Sequence, residues 1–125
     1  MTDSGERLVL DFIDQFRNPG TVDVFTHGCC YWFARILEQR FAFRGGYEAT
    51  LYYNPVLNHF ACGVSWRVPA AGQEDVWRLE LFDITGRLEG FGTDWVTWQS
   101  YRADDPLDSD RVKHDCILKL PPEQR

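Results

Sequence analysis

A pair of adjacent cysteines opens an apolar stretch with helical spacing, in the segment Gly28-Cys29-Cys30-Tyr31-Trp32-Phe33-Ala34. A thiol at the N-terminus of a helix lies near the positive end of the helix dipole and near backbone N–H groups without intrahelical partners. Both features stabilise the thiolate, which is the form of cysteine that attacks electrophilic carbon. The segment therefore predicts a nucleophilic cysteine at the start of a helix.

A histidine and an aspartate further along the chain complete the residue types that a thiol nucleophile needs. His59 opens a strand-patterned run and Asp83 closes the next one. In an antiparallel register that sets Arg67 opposite Asp75, His59 lies opposite Asp83, close enough for an imidazole–carboxylate hydrogen bond. The order Cys30, His59, Asp83 thus predicts a triad of nucleophile, base and orienting acid.

Cys30 is the preferred nucleophile because it lies on the predicted buried stripe of its helix, toward the sheet that should carry His59. Cys29, one helical step or about 100° away, is the alternative. Cys62 alternates to the opposite strand face from His59, so we expect it in the core. Cys116 is expected to serve packing rather than chemistry.

The same residues have non-catalytic interpretations that the sequence leaves open. A buried cysteine often acts as a small apolar residue, and an aspartate before Ile84-Thr85-Gly86 can begin a turn. A zinc site would be another use of four cysteines and three histidines. Because no Cys-x-x-Cys pair occurs, and His59 and Cys62 point to opposite strand faces, we expect no metal and no cofactor.

Length and composition indicate one domain over residues 1–125, with enough apolar residues for a core. Hydrophobic residues make up 44% and aromatic residues 15%, which argues against disorder. The formal net charge of -6 argues against partners such as nucleic acid or an anionic membrane. No apolar run approaches the roughly 18 residues of a membrane span, and the acidic N-terminus does not resemble a secretory signal. We therefore expect a soluble cytoplasmic protein with reduced cysteines.

Two N-terminal helices are predicted to position the cysteine. Apolar residues repeat at helical spacing after Asp3-Ser4-Gly5-Glu6, which predicts a helix over 5–17 that Asn18-Pro19-Gly20 ends. Val22 to Phe25 is expected to be extended. Thr26 is expected to cap a second helix over 27–41. The buried stripe predicted for this helix is Cys30, Phe33, Ala34, Leu37 and Phe41.

The pattern after Arg44-Gly45-Gly46 changes to a period of two, which predicts strands over 47–53, 59–67 and 77–83. Residues 94–99 fit a strand or a short helix, and either Trp95 or Trp98 is placed to shield the His59–Asp83 pair from water. A last short element is expected over 111–118. The predicted fold class is α+β, with two N-terminal helices packed on an antiparallel sheet, the second on the face that bears His59.

The cysteine segment resembles the papain-like cysteine peptidase fold, in the broad sense that includes transglutaminase-like and NlpC/P60-like proteins. Papain-type enzymes carry Gly-x-Cys-Trp-x-Phe at the start of their central helix, and Gly28 to Phe33 is similar, with Tyr31 in place of the tryptophan. The order Cys30, His59, Asp83 is more similar to the transglutaminase-type triad. The chain also resembles small bacterial and phage-associated proteins. No papain-type oxyanion glutamine occurs between Asn18 and Cys29; a helix-start site allows the backbone N–H of Cys30 as a second oxyanion donor, and the sequence leaves the donor set open.

The function that follows from these residues is hydrolysis or transfer of an acyl group from an amide, thioester or isopeptide bond, or glutamine deamidation. The expected partner is a protein, a peptide or a small amide or acyl substrate. The alternative is a non-catalytic interaction module that keeps a papain-like scaffold while Cys30, His59 and Asp83 serve packing.

Overall fold

An antiparallel sheet with the strand order β4-β3-β2-β1-β5 forms the centre of the computed structural model, which describes residues 3–26, 30–68, 76–89, 92 and 94–117. Within those residues the elements are α1 (Ser4–Asp14), α2 (Pro19–Thr26), α3 (Cys30–Ala42), β1 (Tyr47–Asn54), β2 (His59–Val68), β3 (Val76–Asp83), β4 (Gly86–Arg87), β5 (Val96–Thr97), α4 (Trp98–Asp104), α5 (Pro106–Val112) and a π-helical turn (Lys113–Ile117). The predicted α+β class, with N-terminal helices packed on an antiparallel sheet, is confirmed. No helix among these residues is long and apolar enough to cross a membrane.

Helix α1 begins at a side-chain cap that also anchors the helix to the sheet. The Asp3 carboxylate accepts the backbone N–H of Glu6 at 2.8 Å, as an N-cap does. It also accepts the indole N–H of Trp66 at 3.0 Å and a guanidinium N–H of Arg78 at 2.7 Å. Since Trp66 lies on β2 and Arg78 on β3, one carboxylate joins α1 to two strands.

Helix α2 occupies a segment for which the sequence predicted an extended chain, so the prediction for Val22 to Phe25 is wrong. Asn18 does not end a helix but caps this one. Its side-chain oxygen accepts the N–H of Thr21 at 3.0 Å, and its own N–H is donated to the Thr21 hydroxyl at 3.1 Å. Pro19 is the first helical residue, a position where a missing N–H costs nothing. Thr26 is the last residue of α2, and the start of the next helix, which it was predicted to cap, lies outside the described residues.

Helix α3 buries the stripe that its spacing predicted. The buried residues are Cys30, Phe33, Ala34, Leu37 and Phe41. The predicted helix start at residues 27–29 lies outside the described residues. The stripe faces α1 and the turn after it as well as the sheet, because Phe41 makes an edge contact with Phe12 of α1, and Phe33 makes one with Phe16.

The register between β2 and β3 differs by two residues from the predicted register. Arg67 pairs with Trp77, not with Asp75, and Cys62 pairs with Phe82. Continuing this register sets Asp83 opposite Ala61, two residues along β2 from His59. Asp83 is therefore diagonal to His59 rather than directly opposite. Because side chains alternate with a period of two, a shift of two residues leaves both on the same face and within reach of each other.

The sheet face under α3 is the one that carries Phe60, Cys62 and Val64. These residues belong to the core with the α3 stripe, and the rings of Tyr31 and Phe60 lie 5.1 Å apart. Strand alternation assigns His59 to the other face, so the prediction that α3 covers the face bearing His59 is wrong. His59 meets α3 because it is the first residue of β2, at the end of the sheet.

Residues that follow β4 in the chain add aromatic side chains to the core. Residues 94–99 contain both of the predicted alternatives, since β5 ends at Thr97 and α4 begins at Trp98. Trp98 is buried and its ring contacts those of Tyr53 and Phe60 at 5.5 and 5.0 Å. The element expected over 111–118 is the end of α5 followed by the π-helical turn.

We expect Gly5→Ala to destabilise the fold. A Cβ at this position would lie 2.5 Å from Nε1 and 2.7 Å from Cγ of Trp66, whose ring is buried and held by Asp3. Overpacking of this kind costs about 1–3 kcal/mol, more than the roughly 1 kcal/mol that a helix gains from alanine over glycine. Urea denaturation should show a lower free energy of unfolding.

The matched control is Gly45→Ala, because a Cβ there meets nothing within 4 Å. Its free energy of unfolding should stay within about 0.5 kcal/mol of the wild-type value. A Gly5→Ala protein as stable as this control would contradict the close contact between α1 and Trp66.

Candidate active site

Cys30 lies at the first described position of α3, with its sulfur over the start of β2. The backbone N–H of Phe60 points to Sγ at 3.5 Å. The His59 ring and the backbone N–H of Tyr31 are also close enough to the thiol to lower its pKa. The residue is only 6% exposed, so these groups, and not bulk water, solvate the sulfur.

The β1–β2 turn positions His59. Asn54 begins the turn by accepting the backbone N–H groups of Val56 and Leu57, each at 3.0 Å. Asn58 ends it with a φ of 52°, in the left-handed region that asparagine tolerates better than most residues. The hydroxyl of the buried Tyr53 donates to the Asn58 side chain at 2.6 Å. The turn is thus held at both ends, directly before His59.

Asp83 uses both carboxylate oxygens. Its Oδ2 lies 2.9 Å from Nε2 of His59, and its Oδ1 accepts the backbone N–H of Thr85 at 2.8 Å and the Thr85 hydroxyl. Asp83 ends β3 and pairs with Gly86 across a tight turn, which brings Thr85 back over the carboxylate. Since Asp83 holds Nε2, Nδ1 of His59 is the nitrogen left for the Cys30 sulfur.

In the folded protein the pKa of Asp83 is lowered and the pKa of His59 is raised. Burial is the largest influence on the Asp83 pKa and raises it, but hydrogen bonds from His59 and Thr85 outweigh it, so the pKa is lowered. Burial is also the largest influence on the His59 pKa and lowers it. The hydrogen bonds and charges of Asp83 and Cys30 outweigh burial and raise this pKa from 6.5 to about 9. At neutral pH the pair is therefore a carboxylate and an imidazolium.

The same imidazolium lowers the pKa of the Cys30 thiol. Burial raises the pKa of Cys30 and is the largest single influence, yet the net pKa lies below the ordinary 9.0. The hydrogen bond and the charge of His59, with the N–H groups of Phe60 and Tyr31, account for the decrease. The three side chains therefore lie in the order thiol, imidazole and carboxylate, and His59 favours the ionised form of the thiol.

A cavity of about 330 Å³ opens beside His59. It is lined by Asn54, Leu57, His59, Leu88, Glu89, Gly92, Asp94 and Trp95. The Trp95 ring lies edge-on to His59, with 6.1 Å between ring centroids. Of the two tryptophans considered as a shield for His59, Trp95 contacts its ring, while Trp98 packs in the core. A larger cavity of about 800 Å³ lies between α3, β1 and the C-terminal helices, and is not lined by the triad.

The structure brings together all three residues that the sequence singled out for the site. Cys29 and the side chain of Cys116 lie outside the described parts of the chain. Cys62 is a free, fully buried thiol in the core, as predicted, and burial raises its pKa to about 12.

Sequence reasoning missed the residues that hold the triad in place. The hydroxyl of Thr85 and the side chain of Asn54 both have a recognisable pattern, since Asp-x-Thr and Asn-Pro are turn-forming sequences. The donor at Phe60 is a backbone group, which no residue type marks. Among the described residues, no group of three or more His, Cys, Asp or Glu is arranged to hold a metal ion.

Comparison with known proteins gives no match to this chain, whether with family models, with curated proteins or with solved structures.

We expect Cys30 to be alkylated faster than a free thiol at pH 7, because its pKa is lowered, and Cys62 to remain unmodified. The measurement is the iodoacetamide rate, mapped by mass spectrometry in a Cys29→Ser background so that adducts are assigned to Cys30.

Replacement of His59 by alanine removes the imidazolium and leaves burial to raise the Cys30 pKa. We expect the alkylation rate at pH 7 to fall by about tenfold or more. Equal rates in the two proteins would show that His59 does not activate the thiol.

Proposed function

We propose that this protein is a thiol enzyme that hydrolyses or transfers the acyl group of an amide, thioester or isopeptide bond through a thioacyl intermediate on Cys30. The observation that carries the proposal is the placement of the Cys30 sulfur at the start of β2, beside His59, whose Nε2 lies 2.9 Å from the Asp83 carboxylate. The same histidine lowers the pKa of the thiol. The His59 imidazolium and the Asp83 carboxylate neutralise each other, and the imidazolium favours ionisation of the nearby thiol.

In the first step the Cys30 thiolate attacks the carbonyl carbon and a carbon–sulfur bond forms. The bond from that carbon to the leaving nitrogen or sulfur then breaks, and His59 gives its proton to the leaving atom. His59 becomes neutral in this step. Asp83 holds Nε2 throughout and keeps the ring in the tautomer whose Nδ1 faces the sulfur.

In the second step water or an acceptor amine attacks the thioacyl carbon. Neutral His59 takes a proton from the attacking group, the carbon–sulfur bond breaks, and the thiolate–imidazolium pair is restored. With a glutamine side chain as substrate, ammonia leaves in the first step and the product is glutamate.

The oxyanion that forms in each step needs a hydrogen-bond donor close to the sulfur. The backbone N–H of Cys30 is the donor we propose, because it belongs to the first described residue of α3 and lies next to the reacting atom. The positive end of the α3 dipole adds to the same effect.

We infer a papain-like scaffold with a triad of the transglutaminase type. The support is that the thiol lies at the start of the helix packed on the sheet, and the histidine and the acid come from two adjacent strands. The substrate proposed is a protein, a peptide or a small amide or acyl compound. The low exposure of Cys30 favours one alternative, a non-catalytic interaction module in which the same residues serve packing.

Activity should follow a bell-shaped dependence on pH. It rises as Cys30 ionises, through a pKa below 9.0, and falls as His59 loses its proton, through a pKa of about 9. The measurement is kcat/KM across pH on amide and thioester substrates from an acyl-fluorophore panel. A rate that keeps rising well beyond pH 9 would rule out protonated His59 as the acid.

Substitution of each triad residue should separate chemistry from packing. We expect Cys30→Ser to abolish turnover, and Asp83→Asn to lower kcat by about 100-fold or more, because an amide can hold the wrong imidazole tautomer. Cys29→Ser is the control and should keep most of the activity. Melting temperatures measured with turnover identify any variant that fails to fold.

Two outcomes would contradict the assignment. Loss of activity in Cys29→Ser with activity retained in Cys30→Ser would make Cys29 the nucleophile. Full activity in both variants, or no acyl-enzyme and no turnover with any probe, would favour the non-catalytic module.

A further inference from the structure

The cavity beside His59 contains an amide group that has a free donor. Asn54 is 3% exposed, and its Oδ1 accepts the N–H groups of both Val56 and Leu57. These two contacts fix the orientation of the amide, so Nδ2 points away from the turn. Nδ2 has no hydrogen-bond partner among the described residues, and none of their fully buried polar side-chain atoms lacks one. Nδ2 is therefore open to solvent, and Asn54 lines this cavity.

The other groups that line the cavity favour a ligand that carries a positive charge on an apolar chain. The Asp94 carboxylate makes no ion pair within the described part of the chain, and Glu89 contributes a second carboxylate, which pairs with Arg87. Trp95 and Leu57 provide apolar surface between the polar groups. The cation among the described lining residues is the His59 imidazolium, whose charge is paired with Asp83; these residues include no lysine or arginine. The Nδ2 donor of Asn54 fits a ligand carbonyl, the unpaired Asp94 carboxylate fits an ammonium group, and the Trp95 ring fits the methylene chain between them.

The position of the cavity indicates which half of a substrate it holds. His59 lines the cavity and Cys30 does not. The acyl half of the substrate must lie at the sulfur, whereas the atom that receives the proton of His59 must lie at the imidazole. The cavity is therefore on the side of the leaving group.

We propose that this cavity binds the amine half of the substrate and selects a lysine in peptide linkage, with its ammonium group at Asp94 and its carbonyl at Nδ2 of Asn54. This rests on the proposed function, because the cavity is defined as a substrate site by the chemistry of Cys30 and His59. It deepens that function by naming the residue on the far side of the bond that breaks.

Three chloroacetamides test the assignment through the alkylation of Cys30, in which the sulfur–carbon bond forms and chloride leaves. Chloroacetyl-lysine N-methylamide carries the ammonium group and the carbonyl. Chloroacetyl-norleucine N-methylamide lacks the ammonium group. Chloroacetyl-cadaverine keeps the same chain and ammonium group but lacks the carbonyl. Alkylation rates are measured at pH 7 in the Cys29→Ser background. The rate of the lysine probe is divided by the rate of each of the other two probes, so that a change in the intrinsic reactivity of the thiol cancels.

The lysine probe should react about fivefold faster than the norleucine probe, as one ion pair allows, and about fivefold faster than the cadaverine probe, as one hydrogen bond allows. Asp94→Asn should bring the first ratio to about one. Asn54→Asp keeps the oxygen that holds the turn and removes the donor, so it should bring the second ratio to about one. Melting temperatures confirm that both variants fold.

Glu48→Gln is the control for the overall negative charge of the protein. Glu48 lies on β1, six residues from Asn54 and thus about 20 Å along the strand. Both ratios should be unchanged in this variant.

The outcomes distinguish this proposal from the function on which it rests. A reactive Cys30 with both ratios near one in the parent protein overturns the lysine site and leaves the thiol enzyme in place. A cadaverine probe as fast as the lysine probe overturns the peptide-linked ligand. Slow alkylation by all three probes, no faster than a free thiol, overturns both proposals.

Discussion

The hydrogen bond between His59 and Asp83 sets the charge state of the whole candidate site. A buried carboxylate or imidazolium alone is costly, and each is acceptable here because the other lies 2.9 Å away. Thr85 satisfies the second carboxylate oxygen, so Asp83 stays ionised despite its burial. Asp83 in turn keeps a proton on His59 up to a pH of about 9, and the resulting imidazolium lowers the pKa of the Cys30 thiol.

The triad lies where three elements end or begin, and this follows from how hydrogen bonds are distributed in the fold. Inside the sheet the backbone groups of β2 are used by its neighbours. At the first residues of β2, past the last pair with β3, the N–H of Phe60 is available to the Cys30 sulfur. The Phe60 ring meanwhile packs against Tyr31 and Trp98 in the core. The core packing of the Phe60 ring therefore fixes the position of the site, and the free backbone N–H at the end of the sheet supplies its hydrogen-bond donor.

The buried face of α3 and the proximity of Cys30, His59 and Asp83 were predictable from the sequence, because helical spacing gives the first, and residue type with strand pairing gives the second. The exact strand register was not. Alternation fixes which face a side chain occupies, but a shift of two residues satisfies it equally well, so His59 and Asp83 are diagonal neighbours. Helix α2 was missed because Asn18-Pro19 fits the end of one helix and the start of another. Only the contact between Asn18 and Thr21 decides between these alternatives.

Cys30 and Cys62 show why burial alone does not determine the reactivity of a thiol. Both are free, both are buried, and burial raises the pKa of each. Burial raises the pKa of Cys62 to about 12, and the opposing influence is a backbone hydrogen bond with Thr50, which does not outweigh burial. Cys30 has the His59 imidazolium and two backbone N–H groups, and its net pKa moves the other way. The donors around the sulfur, and not its exposure, therefore distinguish the candidate nucleophile from a core cysteine.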